Sequence, residues 1–365
     1  MTFSRPYELV APLLPPVERL LPDIERALAS RWLSNGVFVE RLEEALTELV
    51  GTSSVVAMAS GTTALMASLR ALRWAGEVIT PSFGFGGTAH AIRWVGAEPV
   101  FAEVDRETFL VDPDSVARLR SDRTAGVLAV DAYGVPVDVA GLAEATGLPV
   151  LVDAAHGLGS RRPHATRAAG LVYSLHPTKT IVAGEGGIVA TDDGDFAEAL
   201  RRVRNFGFED GQDATEVGLN AKMPELSAIL AYHQIELLPR TVAGRSAWDA
   251  AYRRVLGDVP GIRFQRVPGG AEVNYQYTPV VIDPAAFGRS RDEVAAALRE
   301  ENVVTRPYFF PPIHRMRVYA GTVRTDDLTW TDELAATVLC LPVHPGEDPS
   351  IAERIGEMVG ALRVA

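Results

Sequence analysis

The chain has 365 residues, with 35 Lys plus Arg against 47 Asp plus Glu, a formal net charge of -12, 47% hydrophobic residues and a single cysteine, Cys340. That length implies about two domains with cores large enough to fold without staples, and a lone cysteine with no Cys/His grouping at zinc spacing points to a reducing compartment and no metal. The opening MTFSRPYELVAPLLPPVERLL carries prolines and charges where a signal peptide needs an apolar run, no stretch of about 18 apolar residues follows, and the acidic total disfavours nucleic acid, so a cytoplasmic protein with neither membrane nor nucleic-acid partner is expected.

Taken in order, β-branched apolar runs alternate with helical patterns: SVVAMAS before GTTALMASLRALRWA, EVITPSF before GTAHAIRWVG, then PVFAEV, AGVLAVDAYG before DVAGLAEATG, PVLVDAAH, GLVYSLH and GGIVATDD. Short apolar strands separated by helices predict an α/β fold with a mostly parallel sheet flanked by helices. Polar residues gather at the strand ends, where open α/β sheets bind ligands. From about Asp195 the pattern turns helical through GDFAEALRRVRNF and MPELSAILAYHQIELLPRTVAGRSAWDAAYRRVL. A strand in NYQYTPVVID, a helix in SRDEVAAALREEN, a Pro/aromatic loop RPYFFPPIHRMRVY, a helix over TDELAATVLC and a closing helix SIAERIGEMVGALRV follow. The expected organisation is a large domain over 1–245, with the N-terminal segment, and a smaller C-terminal α+β domain over 246–365.

Of the 35 basic residues only two are lysines, Lys179 and Lys222. Arg keeps its proton near neutral pH and cannot act as an amine nucleophile, so a retained Lys is a candidate for amine chemistry, set against chance survival on a surface. SGTTAL, Ser60 to Leu65, follows a strand and opens a helix; backbone N–H groups at Gly61, the helix dipole and the Thr62 hydroxyl can hold an anion there, although Ser and Thr also fit a plain helix cap. The motif is neither a Walker loop nor G-x-G-x-x-G. LVDAAHGLGS places Asp153 and His156 at a strand's carboxyl end, and VYSLHPTKTIVAGEGGIVATDD places Ser174, His176 and Lys179 after another, followed by a glycine turn at Gly184, Gly186 and Gly187. Singly, each reads equally as a cap or a hydrogen-bonded core residue. Jointly, a phosphate cradle, a carboxylate for a pyridinium nitrogen, an aromatic ring at Phe85 and a rare lysine are the parts that pyridoxal phosphate requires.

The ordered set SGTTAL, EVITPSFGFGGTAHAIRWVGAEPVFAEVD, DAYG, VDAAHGLGS, SLHPTK, GEGG and GLNAKMPEL closely resembles the pyridoxal-phosphate sugar aminotransferases of the DegT/DnrJ/EryC1/StrS family, over nearly the whole chain. The resemblance implies the type I aminotransferase fold, pyridoxal 5'-phosphate as cofactor and a homodimer with shared active sites. RWLSNGVFVERLEEAL and LHPTKTIVAGEGG look like the enzymes that aminate C4 of a dTDP-4-keto-6-deoxy sugar, with L-glutamate as donor; the 3-amino branch more often reads YPTKNLGALGDGG.

By the same resemblance, Lys179 carries the cofactor covalently and shuttles the proton, and a lysine partly desolvated beside a cationic cofactor is available as the neutral amine near pH 7. Asp153 keeps the pyridine nitrogen protonated, and His156, where the family often has Gln, meets the phenolic oxygen. Phe85 stacks on the ring. Gly61, Thr62 and Ser174 bind the phosphate, joined by Asn220 from the other subunit. Lys222 resembles a basic position that approaches the substrate diphosphate, and the loop bearing Tyr308 and His314 resembles the segment near the nucleotide-sugar pocket. Two departures bear on the sugar: GFGG, Gly84 to Gly87, replaces the family's Thr-Phe or Thr-Trp pair, and RRPHATRAAGLVYS is short of the usual Gly-rich hairpin. The rivals are 3-amination of a 3-keto sugar, a family dehydratase, which carries His at the lysine position, and a pyridoxal-phosphate-binding regulator without turnover.

Overall fold

The computed structural model describes residues 3–162, 168–209, 211 and 213–364. Part of RRPHATRAAGLVYS, residues 163–167, lies outside them. Strands β1 (Ser54–Met58), β2 (Glu77–Pro81), β3 (Glu98–Ala102), β4 (Thr124–Val130), β5 (Val150–Asp153), β6 (Gly170–Ser174) and β7 (Gly187–Thr191) form one sheet in the order β1-β7-β6-β5-β4-β2-β3. The pairs β2/β3, β2/β4, β4/β5 and β5/β6 are parallel, whereas β7 is antiparallel to both β6 and β1. Strands β1 to β6 therefore share one direction and β7 alone returns, which gives the mostly parallel α/β architecture.

Side chains alternate between the two faces of a strand, and this parity sorts the core into two layers. Val55, Ala57, Ile79, Val127, Val150 and Val152 pack with the helices Val37–Val50, Pro113–Leu119, Val139–Thr146 and Glu225–Gln234. Val56, Met58, Val78, Leu128, Leu151 and Val172 pack with Gly61–Ala71, Gly86–Trp94 and Gly194–Arg204. Asp153 and Ser174, two residues on from Leu151 and Val172, consequently share the face that carries the helices opening at Gly61 and Gly86.

A smaller antiparallel sheet has the order β10-β9-β8, with β8 Ile262–Phe264, β9 Thr278–Ile282 and β10 Val338–Leu341. Strand β10 corrects the expected helix over TDELAATVLC: that helix runs Thr329–Thr337 and the last residues turn into strand. Val338 to Leu341 are wholly buried and pair with β9, a partner that a continued helix would leave with an open edge. Around this sheet Trp248, Tyr252, Val280, Ile282, Leu339 and Ile355 form a separate core, joined by Phe3 and Tyr7 from the start of the chain. Helix Leu238–Leu256 spans both units, since Leu238 belongs to the first core and Trp248, Tyr252 and Leu256 to the second. The Glu of GLNAKMPEL, Glu225, is buried and accepts from the backbone N–H groups of Gly36, Phe38 and Val39 at 2.9, 2.9 and 3.2 Å, so its charge caps the helix Val37–Val50. Among the described residues no helix is long and apolar enough to cross a membrane.

The tightest approach in the large sheet is at Gly187, the first residue of β7 and the partner of both Met58 and Ser174. A Cβ there would stand 2.6 Å from the Gly61 nitrogen and from the Ser60 carbonyl carbon and oxygen, all backbone atoms that cannot rotate aside. Gly187→Ala should therefore lower stability by about 1–3 kcal/mol, the usual effect of overpacking, read from urea denaturation of the purified protein.

Candidate active site

The candidate site forms at the carboxyl ends of β1, β2, β5 and β6. After β1 the chain enters helix Gly61–Ala71 through a reciprocal cap: Ser60 Oγ accepts from the Thr63 N–H at 3.1 Å, and Thr63 Oγ1 from the Ser60 N–H at 3.0 Å. The capping and anion-binding readings of SGTTAL thus fall to different residues. Ser60 and Thr63 cap, while Thr62 is exposed at the helix N-terminus and its hydroxyl makes no hydrogen bond among the described residues. Gly61 faces Ser174, whose Oγ would lie 3.3 Å from a Cβ placed on that glycine. The amide of Gly61 and the hydroxyls of Thr62 and Ser174 make a small cradle of donors at a positive helix end.

Phe85 closes the space beside this cradle. It precedes helix Gly86–Trp94, and its ring edge and Thr62 Oγ1 both lie over Gly87, 3.1 and 3.6 Å from a Cβ built there. The ring is 67% exposed, which leaves a face open for stacking. On the same helix Thr88 donates its hydroxyl to Asp153 Oδ2 at 2.6 Å, and the Ala155 N–H donates to Oδ1 at 3.1 Å. Burial pushes the Asp153 carboxyl above its ordinary range; the two donors and the Lys179 charge oppose that shift. A buried carboxylate of this kind gains by meeting a cation.

Lys179 lies in a turn after β6, its N–H bonded to the His176 carbonyl at 2.9 Å. Burial lowers its amine to about 7, Asp153 pulling it upward and the Arg245 charge pushing it further down. His156 is half-buried, parallel to Phe309 at 5.8 Å and to Tyr133 at 6.5 Å, with Tyr277 edge-on at 5.2 Å. Burial, and then the charges of Lys179 and Arg245, hold its imidazole well below its ordinary pKa, so it is neutral near pH 7.

Other expected residues stand elsewhere. Asn220 is exposed and bridges Asn205, and the Lys222 amine sits 4.3 Å from the Phe206 ring centroid, its pKa lowered by burial and by Arg204. Tyr308 joins the aromatic wall, stacked on Phe309 at 5.6 Å and edge-on to Tyr277 at 5.6 Å. Both ring nitrogens of His314 are engaged, Nδ1 with Ser82 Oγ at 2.7 Å and Nε2 with Asp332 at 3.1 Å, which ties the end of β2 to helix Thr329–Thr337. Thr88, Arg245 and Gln276 are contributors that the motif reading did not single out. Arg245 carried a signal: it interrupts a helical stripe of Leu238, Thr241, Trp248, Tyr252 and Leu256 at core spacing.

The donor set fits pyridoxal phosphate: a phosphate-sized cradle, an open aromatic face, a buried carboxylate and an amine that sheds its proton near pH 7. A sequence profile of the DegT/DnrJ/EryC1/StrS aminotransferase family matches residues 17–360. The chain is 31% identical to a dTDP-4-amino-4,6-dideoxy-D-glucose transaminase of Escherichia coli, covering 95% of this chain and 96% of that protein. It is 32% identical to a protein of the same name from Shigella dysenteriae over 99% of this chain and 100% of the other. The crystal structure of DesI in the presence of its TDP-sugar product superposes with a TM-score of 0.93 at 36% identity, covering 99% of this chain and 93% of that one.

Two outcomes follow for the cofactor-free protein. Thr88→Val should destabilise it by about 1–3 kcal/mol in urea denaturation at pH 7, because a buried carboxylate loses a donor, and Thr88→Ser should restore most of the loss. The folded Lys179 amine titrates near 7 against an ordinary 10.5, so the unfolded chain binds the extra proton between those values. Its unfavourable contribution is thus fully present below about pH 7 and is relieved as pH rises toward 10.5. Lys179→Met should flatten that rise in a stability-against-pH series.

Proposed function

The chain belongs to the DegT/DnrJ/EryC1/StrS aminotransferase family, whose members are pyridoxal-phosphate-dependent, and from that premise we propose that it transfers the amino group of L-glutamate to C4 of dTDP-4-keto-6-deoxyglucose. The reaction takes place in the cytoplasm, and the product is a dTDP-4-amino-4,6-dideoxy sugar destined for a natural product or polysaccharide. The observation that carries this reading is the end-to-end similarity to two transaminases bearing that sugar's name.

Bound in the site, pyridoxal phosphate supplies a carbonyl that carries the amino group and a ring that takes up the electron pair released at the substrate carbon. This chain's residues do the rest. The Gly61 amide, the Thr62 hydroxyl and the Ser174 hydroxyl hold the phosphate, and Phe85 covers one ring face. Asp153, fixed by Thr88 and Ala155, holds the proton on the ring nitrogen. The Lys179 amine, which sheds its proton near pH 7, would attach the cofactor between turnovers and move a proton between substrate and cofactor carbons. Neutral His156 reaches the phenolic oxygen, its ring plane set by Phe309 and Tyr133. One pocket serves donor and acceptor in turn, which gives ping-pong kinetics.

The working unit in this reading is a homodimer. Exposed Leu14, Val17, Leu28, Trp32 and Val37 make an apolar stretch that a second copy of the chain would cover. Exposed Asn220 then reaches the partner's phosphate site and Lys222 the sugar diphosphate. Tyr308 borders the sugar, and His314, committed to Ser82 and Asp332, holds that loop against the large unit. The domain division at 245/246 falls inside the helix that leaves one core and enters the other.

Lys179→Ala should lose the absorbance of lysine-linked cofactor and all turnover while keeping the fold by circular dichroism. For the acceptor, enzyme converted to its amino form with L-glutamate is mixed with the 4-keto sugar or its 3-keto isomer. Return of the original absorbance with the 4-keto sugar alone is expected; return with the 3-keto isomer alone moves the amine to C3. Silence with glutamate despite bound cofactor would make the chain a regulator rather than an enzyme.

A further inference from the structure

Among the described residues Arg245 is the largest charged side chain that is fully buried, with a relative exposure of 0%. A buried guanidinium ordinarily sits against a carboxylate. Among the described residues this one has none, because Asp249, one turn further along the helix, is taken by Arg253 at 2.6 Å and by Thr278 at 3.2 Å. Its bonds go instead to neutral oxygens: Nη1 to Gln276 Oε1 at 2.7 Å and Nη2 to the backbone carbonyl of Lys179 at 3.2 Å, while Nε is buried without a partner. Gln276 in turn donates from Nε2 to the Thr178 carbonyl at 2.7 Å. Two side chains from outside the 175–186 loop thus grip two successive peptides of the turn that bears the lysine.

We propose that Arg245 is a positioning residue for Lys179: with Gln276 it clamps the Thr178–Lys179 peptides and holds an uncompensated positive charge beside the lysine that they carry. The inference rests on the reading of Lys179 as the reactive amine. Arg suits the task because its own proton stays in place across the working range, so the bias does not vanish as pH changes; burial lowers the Arg245 guanidinium only to about 10. The charged and titratable groups around the amine come from every neighbouring element. Asp153 at the end of β5 favours the ammonium, whereas Arg245 disfavours it. His156 is neutral, His176 on the lysine's own loop is likewise lowered by burial, and the Tyr277 phenol, pushed up to about 12, contributes no charge. Arg245 is therefore the one permanent cation beside Lys179 among these groups.

The test uses the peculiarity that the chain has two lysines, so Lys222 serves as an internal reference for Lys179. The rate of acetylation of each lysine by acetic anhydride is followed by peptide mass spectrometry from pH 5 to 10 in the cofactor-free full-length chain. Wild type should show Lys179 with a midpoint far below that of Lys222. Arg245→Met should raise the Lys179 midpoint by about a pH unit, a roughly tenfold fall in its relative rate at pH 6. Gln276→Glu, which adds a carboxylate against the guanidinium, should raise it as Arg245→Met does, and Gln276→Leu, which removes the bond without adding charge, should not. Should Arg245→Met fail to fold, the Gln276 pair decides. An unshifted midpoint in Arg245→Met or Gln276→Glu overturns the proposal, as does an equal shift in Gln276→Glu and Gln276→Leu. Failure of the Lys179 reading is seen separately, as full turnover surviving in Lys179→Ala.

Discussion

The site depends on one geometric constraint, the return of β7 between β1 and β6. Six strands run in one direction, and a seventh placed against that direction brings the ends of β1 and β6 to opposite sides of a single residue, Gly187. With no side chain at that point, the first amide of helix Gly61–Ala71 lies directly on the sheet beside Ser174. The anion cradle is thus a by-product of strand order. The loop that carries Lys179 is the connection β6 must make to reach β7, so lysine and cradle are brought together by one hairpin.

Protonation in the site is governed mainly by burial. Asp153 is pushed toward its neutral form, and so are Lys179 and His156, because each is removed from water more completely than it is paired. Such a pocket is poorly solvated for its own charges and correspondingly receptive to a ligand that brings a cationic ring nitrogen to the carboxylate and an anionic phosphate to the helix end. The elements underneath supply the preorganisation: Thr88 fixes the carboxylate from a helix, and the imidazole plane lies against Tyr133 of the short helical turn Ala132–Gly134 and against Phe309.

Strand-ending polar residues were legible in the sequence because β-branched runs mark strands and the residue that breaks the run marks the edge. The two lysines in an arginine-rich chain marked Lys179, whereas the shared face of Asp153 and Ser174 came only with the pairing of β5 and β6. The glycine turn at Gly184, Gly186 and Gly187 marked a sharp return into β7, but its place between β1 and β6 was not legible, since GGIVATDD reads as a buried strand wherever it pairs. Nor was β10, whose VLCL continues a helical pattern and becomes strand only through its partner β9. SGTTAL held three hydroxyl residues with two plausible jobs, and only the three-dimensional cap between Ser60 and Thr63 shows which is left for a ligand. Arg245 escaped notice for the opposite reason: a charge on an apolar stripe was visible, but no local rule says what a buried guanidinium faces across the fold.

Helix Leu238–Leu256 is a rod of 19 residues, about 28 Å long at 1.5 Å per residue, rooted at one end under the large sheet and at the other in the small one. A rod this stiff does not bend to absorb a displacement; it tilts. Because Arg245 grips the lysine peptide from the rod's middle, a tilt caused by repacking around Tyr252 or Leu256 arrives at Lys179 as a change of place. The small unit is joined to the Lys179 peptide through one helix and one guanidinium, so side chains that never approach the pocket lie on the path that fixes where that peptide stands.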